Sequence, residues 1–250
     1  MITIQQDLLH SALNAVTRAS TKSTLMVAFS LIRLDVNTDG ILHLSCFNGE
    51  TAARSTMNVD CNEDISVCVD AATLKAVVET LAGEIRLQVD GTSLVIQGIS
   101  NRTTLRIVDE PLPVIGEESI QTIATFSGTV FRSLMRTLPF ASTDDSRAVL
   151  QVIHLILDST TVTAQTADGY SAGFVLESIE GPVEQTSVSL PLSSARLLSM
   201  LVEDRYTVRM GTSGENRYIF QITNAADSKD LTLATVTADG NFPSAQINAL

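Results

Sequence analysis

Residues Ala141–Gly173 read ASTDDSRAVLQVIHLILDSTTVTAQTADGYSAG, and they restate a pattern already present near the start of the chain. Ala19-Ser20-Thr21 returns as Ala141-Ser142-Thr143, and Asn48-Gly49 returns as Asp168-Gly169. A segment of helical period lies ahead of each copy and another lies behind it. Setting Val69-Asp-Ala-Ala-Thr-Leu-Lys75 over Leu190-Pro-Leu-Ser-Ser-Ala-Arg196 puts Lys75 on Arg196 and Val77 on Leu198. A period beyond 100 residues is too long for a solenoid repeat and fits a duplicated domain.

The bulk numbers agree with a folded chain. At 250 residues there is room for two cores, and 44% hydrophobic residues with six prolines exclude disorder. Aromatic residues make up 4% and tryptophan is absent, so the expected core is aliphatic. The longest apolar run, Val149–Leu157, is interrupted by Gln151 and His154 and is about half of what a membrane span needs. Met1-Ile-Thr-Ile has no basic or apolar leader character. Cys46, Cys61 and Cys68 do not stand at Cys-x-x-Cys spacing, and the three histidines are scattered. The expectation is three small free cysteines in a reducing cytoplasm, with no metal and no cofactor.

Periodicity places the elements. Ile2–Ile4 reads as a strand and Gln5–Arg18 as a helix whose stripe is Leu8, Leu9, Ala12, Leu13 and Val16. Val27–Val36 and Ile41–Phe47 are strands joined at Asp39-Gly40, followed by Thr51–Val59 and Ile65–Val69. Asp70 is placed to cap a helix carrying Leu74, Val77, Val78 and Leu81. Strands Glu84–Val89, Ser93–Ile99 and Thr103–Val108 close the half. Glu110–Gly116, with two prolines and a glycine, is the expected linker. The order then repeats: strand Ile120–Phe126, helix Thr129–Leu138, and strands Val149–Leu157, Val162–Thr166, Ala172–Glu177 and Thr186–Leu190. A helix opened by Pro191 follows, then strands Tyr206–Met210, Arg217–Ile222 and Leu231–Thr237. The fold class is α+β: two homologous domains, 1–116 and 117–250, each with two helices packed on antiparallel sheet.

The charge is unevenly placed. The chain has 28 acids against 16 bases, a formal charge of −12 that argues against nucleic acid at first sight. Yet Arg18, Lys75, Arg132, Arg136 and Arg196 fall on predicted helices, where Glu79 is the one clear mid-helix acid. Acids crowd strands and loops at Asp60–Asp64, Asp109–Glu118 and Glu177–Glu184. Were the helices to share one face of a curved sheet, that face could hold a phosphate backbone without reading bases. Charge alone favours the plainer account of five solvated cations on ordinary amphipathic helices.

These residues resemble the β sliding clamp of bacterial DNA polymerase III. Thr143-Asp-Asp-Ser-Arg-Ala-Val-Leu150 is similar to the Ser/Thr-x-(Asp/Glu)-(Ser/Thr)-Arg-Pro-Val-Leu segment of that family's second domain. Thr166-Ala-Asp-Gly169 is similar to its Thr-Asp-Gly turn, and Asp239-Gly-Asn-Phe-Pro243 to the Asp-Gly-x-Phe-Pro motif that ends the domain. In the first half Ala15-Val-Thr-Arg-Ala-Ser20 and Lys22-Ser-Thr-Leu25 fall in the same order.

The resemblance implies a clamp-type fold, no catalysis, and a polymerase processivity factor that encircles double-stranded DNA non-specifically. DNA-facing cations would be Arg18, Lys22, Lys75, Arg132, Arg136, Arg196 and Arg205. A partner-peptide groove for DNA polymerase and clamp loader would use Leu150, Gly169, Tyr170, Ser171, Ala172, Pro243 and Ile247. The family's His-Arg-Leu after Asp-Gly is Tyr170-Ser171-Ala172 here, which implies a groove without one cation and one large aliphatic. Its Tyr-Arg-Arg after Phe-Pro is Ser244-Ala245-Gln246, and the proline of its Arg-Pro pair is Ala148. The family carries three such domains, and no third follows Phe242-Pro243. Three copies of a two-domain chain would close a six-domain ring head to tail. The alternatives are a truncated chain and a divergent clamp-fold interaction module that encircles nothing. An enzyme reading finds no Gly-x-Ser-x-Gly, phosphate loop or dinucleotide fingerprint. Asp144-Asp145 reads as a loop or cap, since chain neighbours point apart.

Overall fold

The computed structural model describes residues 1–22, 26–112, 120–214, 216–224, 230–238 and 240–247, with the backbone alone for Pro182, Ala245 and Gln246. Two compact units are present, Met1–Glu117 with Ala225–Thr232, and Glu118–Asn224 with Leu233–Leu250. Most of the expected linker, and the expected boundary between residues 116 and 117, lie outside the described residues.

In the first unit β1 (Ile2–Gln5) leads into α1 (Gln6–Val16), whose Leu9, Ala12, Leu13 and Val16 are buried. Asn14 on the open side lies 3.2 Å from His10 Nε2, one turn back. Then come β2 (Leu31–Val36), β3 (Ile41–Phe47), β4 (Thr51–Asn58), a two-residue β5 (Asp60–Cys61) and β6 (Ile65–Asp70). Asp70 caps α2 (Ala71–Glu79), its Oδ1 accepting from Thr73 N at 2.7 Å. β7 (Glu84–Asp90), β8 (Ser93–Gln97) and β9 (Arg102–Arg106) complete the unit. The strands form antiparallel sheets in the orders β5-β1-β7-β8-β9 and β4-β3-β2-β6, and α1 lies beside α2.

The second unit repeats the scheme with β10 (Gln121–Ser127), α3 (Gly128–Leu134), β11 (Val152–Ala167), β12 (Ala172–Pro191), α4 (Leu192–Leu201), β13 (Thr207–Thr212), β14 (Arg217–Thr223) and β15 (Asp230–Val236), of which the residues from Leu233 on belong to this unit. A short α5 (Ser244–Ile247), not anticipated from the sequence, follows. The order is β10-β13-β14-β15 in one sheet, and β11 pairs with β12 in another. β11 and β12 are long, but their ladder shifts register on either side of Ser159, whose φ is 53°. Val152–Leu157 pairs with Thr186–Pro191, and Val162–Ala167 with Ala172–Glu177. The first unit joins the same partners: β2 with β6 from Leu31↔Asp70, and β3 with β4. First strand with fourth and second with third is thus the rule in both halves.

Three departures from the expected elements have physical causes. Val27–Ser30 is a 3-10 turn rather than the start of a strand. The β2–β6 ladder ends where Asp70 turns into α2, so residues before Leu31 have no strand to pair with, and Ser30 Oγ donates to Val27 O instead. The same holds ahead of β11: its ladder begins at Val152↔Pro191, and Asp145–Leu150 is a 3-10 turn. The α3 helix stops at Leu134 and continues as a 3-10 turn, Met135–Phe140, because Pro139 has no N–H to donate back to Met135 and its ring would clash there.

The core is not wholly aliphatic. Phe126, Phe131 and Phe220 are fully buried in the second unit, with successive ring centroids 6.0 and 6.1 Å apart. The first unit has the expected aliphatic interior, with Ile2, Leu9, Leu13, Leu44 and Leu74 inaccessible to solvent. Gly128 is forced, since a Cβ there would fall 2.0 Å from Glu203 O. Cys46 and Cys68 are buried, Cys61 is half-buried, and all three are free; burial pushes the Cys46 and Cys68 thiols up. Among the described residues no helix is long and apolar enough to cross a membrane.

Candidate functional site

The groove residues expected from the sequence are organised by two turns of the second unit. In the first, Asp144 Oδ1 accepts from Ser146 N at 3.0 Å and Ser146 Oγ at 2.8 Å, capping the 3-10 turn Asp145–Leu150. In the second, Asp168 Oδ1 accepts from Tyr170 N at 2.8 Å and Ser171 N at 2.7 Å, which holds its carboxyl below the usual carboxylate range. Gly169 completes that turn with φ 92°. Arg147 links the two turns: its Nη1 donates to Asp168 O at 2.8 Å, and its guanidinium carbon sits 5.5 Å from the centre of the Tyr170 ring. Glycine suits the left-handed φ, and a Cβ on Gly169 would come within 2.3 Å of that Nη1, so a side chain there would push the guanidinium aside.

Behind these turns lies an apolar cluster of buried Val152, Ala167 and Phe242, with half-buried Leu150, Ala172, Ala238 and Ile247 packed on it. Three of the seven expected groove residues, Leu150, Ala172 and Ile247, therefore meet in one place. Pro243 is half-buried, and its carbonyl accepts from Ile247 N at 3.2 Å, closing the α5 turn. Gly169, Tyr170 and Ser171 are exposed, and Tyr170 stands 91% open to solvent. His154 stacks on Phe242, ring centroids 5.0 Å apart, with its Nδ1 2.9 Å from Ser189 Oγ. Burial lowers the His154 pKa below its ordinary value.

Sequence reasoning missed Arg147, Phe242, Val152, Ala167 and Ala238 as part of this site. Arg147 and Phe242 stood inside the motifs that carried the resemblance, so the signal was present. The expected lack of a cation is offset by Arg147, whose guanidinium faces Tyr170. Asp239 lies outside the described residues, as do the last three residues of the Lys22–Leu25 motif.

The seven expected cations have varied settings. Arg18 lies in a 3-10 turn after α1 and Arg136 in the one after α3, not within α-helix, and both are exposed. Lys22 is exposed and Lys75 half-buried on α2, while Arg196 is exposed on α4. Arg132, which has no acid between it and Arg136 along the chain, forms an ion pair with Asp204 at 2.9 Å. The carboxylate comes from the turn after α4, a tertiary approach that helical spacing along α3 does not register. Arg205 pairs with Glu203 at 3.1 Å and lies over Tyr206. Among the described residues Lys22, Lys75, Arg136 and Arg196 form no ion pair. α4 packs on the 3-10 turn that carries Arg136. Those residues also contain no group of three side chains able to hold a metal.

No protein-family model and no curated protein matches this sequence. Solved structures do. The DNA polymerase sliding clamp from Bacillus subtilis superposes with a TM-score of 0.86 at 18% identity, over 97% of this chain and 65% of that one. The β subunit of DNA polymerase from Streptococcus pyogenes gives 0.88 at 20% identity, over 98% and 66%. A sliding clamp from Pseudomonas aeruginosa bound to griselimycin gives 0.85 at 21% identity, again over 98% and 66%. The chain therefore spans about two thirds of these proteins, and along nearly its whole length it has the fold of the bacterial DNA polymerase III β subunit, the sliding clamp.

Proposed function

We propose that the chain is a sliding clamp that encircles duplex DNA through sequence-independent phosphate contacts and receives polymerase or clamp-loader peptides at the Tyr170 groove. The observation that carries this is the pair Lys75 and Arg196. They occupy matching positions on the second helix of each half, and neither is neutralised by a carboxylate among the described residues. Arg136 adds a further cation in the second half, on the 3-10 turn against which α4 packs. Contacts of this kind hold the backbone and leave the bases unread, so binding weakens steeply with salt.

The groove supplies the partner end of the function. A floor of Leu150, Ala172, Ile247 and Phe242 takes an apolar side chain, while Arg147 and Tyr170 present a cation and an aromatic face at the rim. A short peptide with one large apolar residue and a nearby carboxylate fits this chemistry.

The test is retention on closed circular DNA, released by linearisation. Reversing Lys75, Arg136 and Arg196 to Glu should abolish retention and lower the salt slope by about one for each phosphate no longer neutralised. Unchanged retention rejects the reading.

A second reading, an interaction module that keeps the fold and encircles nothing, draws on the ion pairs of Arg132 and Arg205, which take two of the seven cations out of play. A monomer at tens of micromolar with no DNA association at low salt is its signature.

A further inference from the structure

The first unit carries a charged pocket on the β4-β3-β2-β6 sheet, away from every residue assigned so far. Side chains alternate along β2: Ile32 and Leu34 are buried in the core, while Arg33 and Asp35 turn to the other face. The ladders set Arg33, Ser45 and Arg54 in one row across β2, β3 and β4, and Ser66, Asp35 and His43 in the next. These six residues line a pocket of about 390 Å³, a volume that suits a small metabolite.

Two arginines hold the pocket, each in its own way. Arg33 is fixed by three hydrogen bonds: Nε donates to Asp35 Oδ2 at 2.7 Å, Nη1 to Leu112 O at 3.2 Å and Nη2 to Ser66 Oγ at 3.2 Å. A guanidinium has five N–H donors, so among the described residues one remains on each terminal nitrogen. Arg54 is 7% exposed and Ser45 beside it 5%. A cation so far out of water acts on an anion more strongly than a solvated one. The acids of the pocket are already engaged. Asp35 takes Arg33 and also Ser66 Oγ, the latter at 2.6 Å, and Asp64 Oδ1 accepts from Thr38 N at 2.8 Å.

The fold does not call for these cations. His154 holds the place of Arg33 in the second half, for it pairs with Ser189 as Arg33 pairs with Cys68. Phe174, opposite Gln165, holds the place of Arg54, opposite Ser45. The same strand pairing is thus built without either arginine, and charge that the fold does without elsewhere points to a ligand.

We propose that this pocket binds a small phosphorylated molecule of about mononucleotide size, its phosphate meeting the two remaining N–H groups of Arg33, with Arg54 and His43 on the same pocket wall. A phosphate suits the pocket better than a carboxylate, because its three terminal oxygens match donors that arrive from three strands. The site is independent of the clamp reading and uses none of the cations proposed to face DNA.

The experiment is calorimetric titration of the full chain at fixed ionic strength with adenosine monophosphate, inorganic phosphate and succinate. Adenosine monophosphate should bind saturably, inorganic phosphate should compete with it, and succinate should bind at least about tenfold more weakly. Arg33→Lys keeps the charge but loses the planar fork, and should raise the dissociation constant for the nucleotide at least about tenfold. His43→Ala should raise it about threefold. Arg54→Lys should weaken binding as well; if that buried change unfolds the chain, the other two variants still decide. No saturable binding of either phosphate compound overturns the site, and so does a dissociation constant unchanged by Arg33→Lys and His43→Ala. Equal affinity for succinate overturns the choice of phosphate. Duplex DNA that displaces the nucleotide at matched phosphate concentration overturns the small-molecule reading in favour of a backbone contact.

Discussion

The turns at Asn48-Gly49 and Asp168-Gly169 hold the same place in the two halves, but their backing differs. A Cβ on Gly49 would meet the Phe29 ring at 2.9 Å, and Phe29 itself packs edge-on against Phe47. In the second half the neighbour of the turn glycine is the Arg147 guanidinium, and the aromatic residue has moved onto the turn as Tyr170. The first arrangement is sealed. Ala28, Leu31, Cys68 and Leu112 are buried together, with Phe29 and Val108 on them. The second leaves Leu150, Ala172 and Ile247 half open behind a charged rim. One backbone plan thus gives a closed corner or a half-open one, with a phenyl ring behind the glycine in the first case and a guanidinium in the second.

The interiors differ in the same sense, and the largest expected effect lies there. Phe131→Ala removes the middle ring of the Phe126–Phe131–Phe220 set and should cost about 3–5 kcal/mol, read by denaturant unfolding. The first unit has no comparable aromatic centre, so its own transition should stay where it was. A uniform shift would show that the halves unfold as one.

Next in size is the glycine pair. Gly169→Ala and Gly49→Ala both place a side chain at φ above 90°, a strain of about 1–3 kcal/mol each. They should part company in function. Gly169→Ala drives the Arg147 guanidinium off Asp168 O and should weaken binding of an acidic, apolar peptide, while Gly49→Ala should leave binding unchanged. Equal loss in both would remove the distinction between sealed corner and groove.

The smallest effect is a pH dependence confined to the second half. Burial depresses the His154 pKa below its ordinary 6.5, so the unfolded chain takes up the proton first as pH falls. Stability is therefore full above about 6.5 and declines below it, and His154→Gln should flatten that decline in melts between pH 7 and 5. A decline between pH 7 and 5 that survives the substitution overturns the assignment to His154, because Asp168, whose depressed pKa acts with the same sign, gives up its contribution only below its ordinary 3.8.

Much of this was legible in the chain because periodicity and turn chemistry are local. Ile41–Phe47 forms the strand its alternation indicates, and Asp70 caps α2 as its position before an apolar stripe suggests. What could not be read depends on partners far along the chain. Val27 and Val149 have strand-like neighbours, yet the opposing strand ends at Asp70 or Pro191 and leaves them unpaired. Asp204 reaches Arg132 from another element, and Arg147 meets Tyr170 across 23 positions of chain, so neither pairing has a sequence period. Motif resemblance pointed to the Asp144 and Asp168 turns because their Asp-Ser and Asp-Gly chemistry is local; it did not indicate which side chain would fill the space behind them.

Tyr170 also has an optical consequence. The chain contains three tyrosines and no tryptophan, and this one is nearly bare, with a guanidinium against its ring. Intrinsic emission is therefore tyrosine emission, and occupancy of the rim should change its intensity without any label. A peptide bearing a single indole could be excited to the red of tyrosine absorption against a dark protein, so the molecule is its own blank.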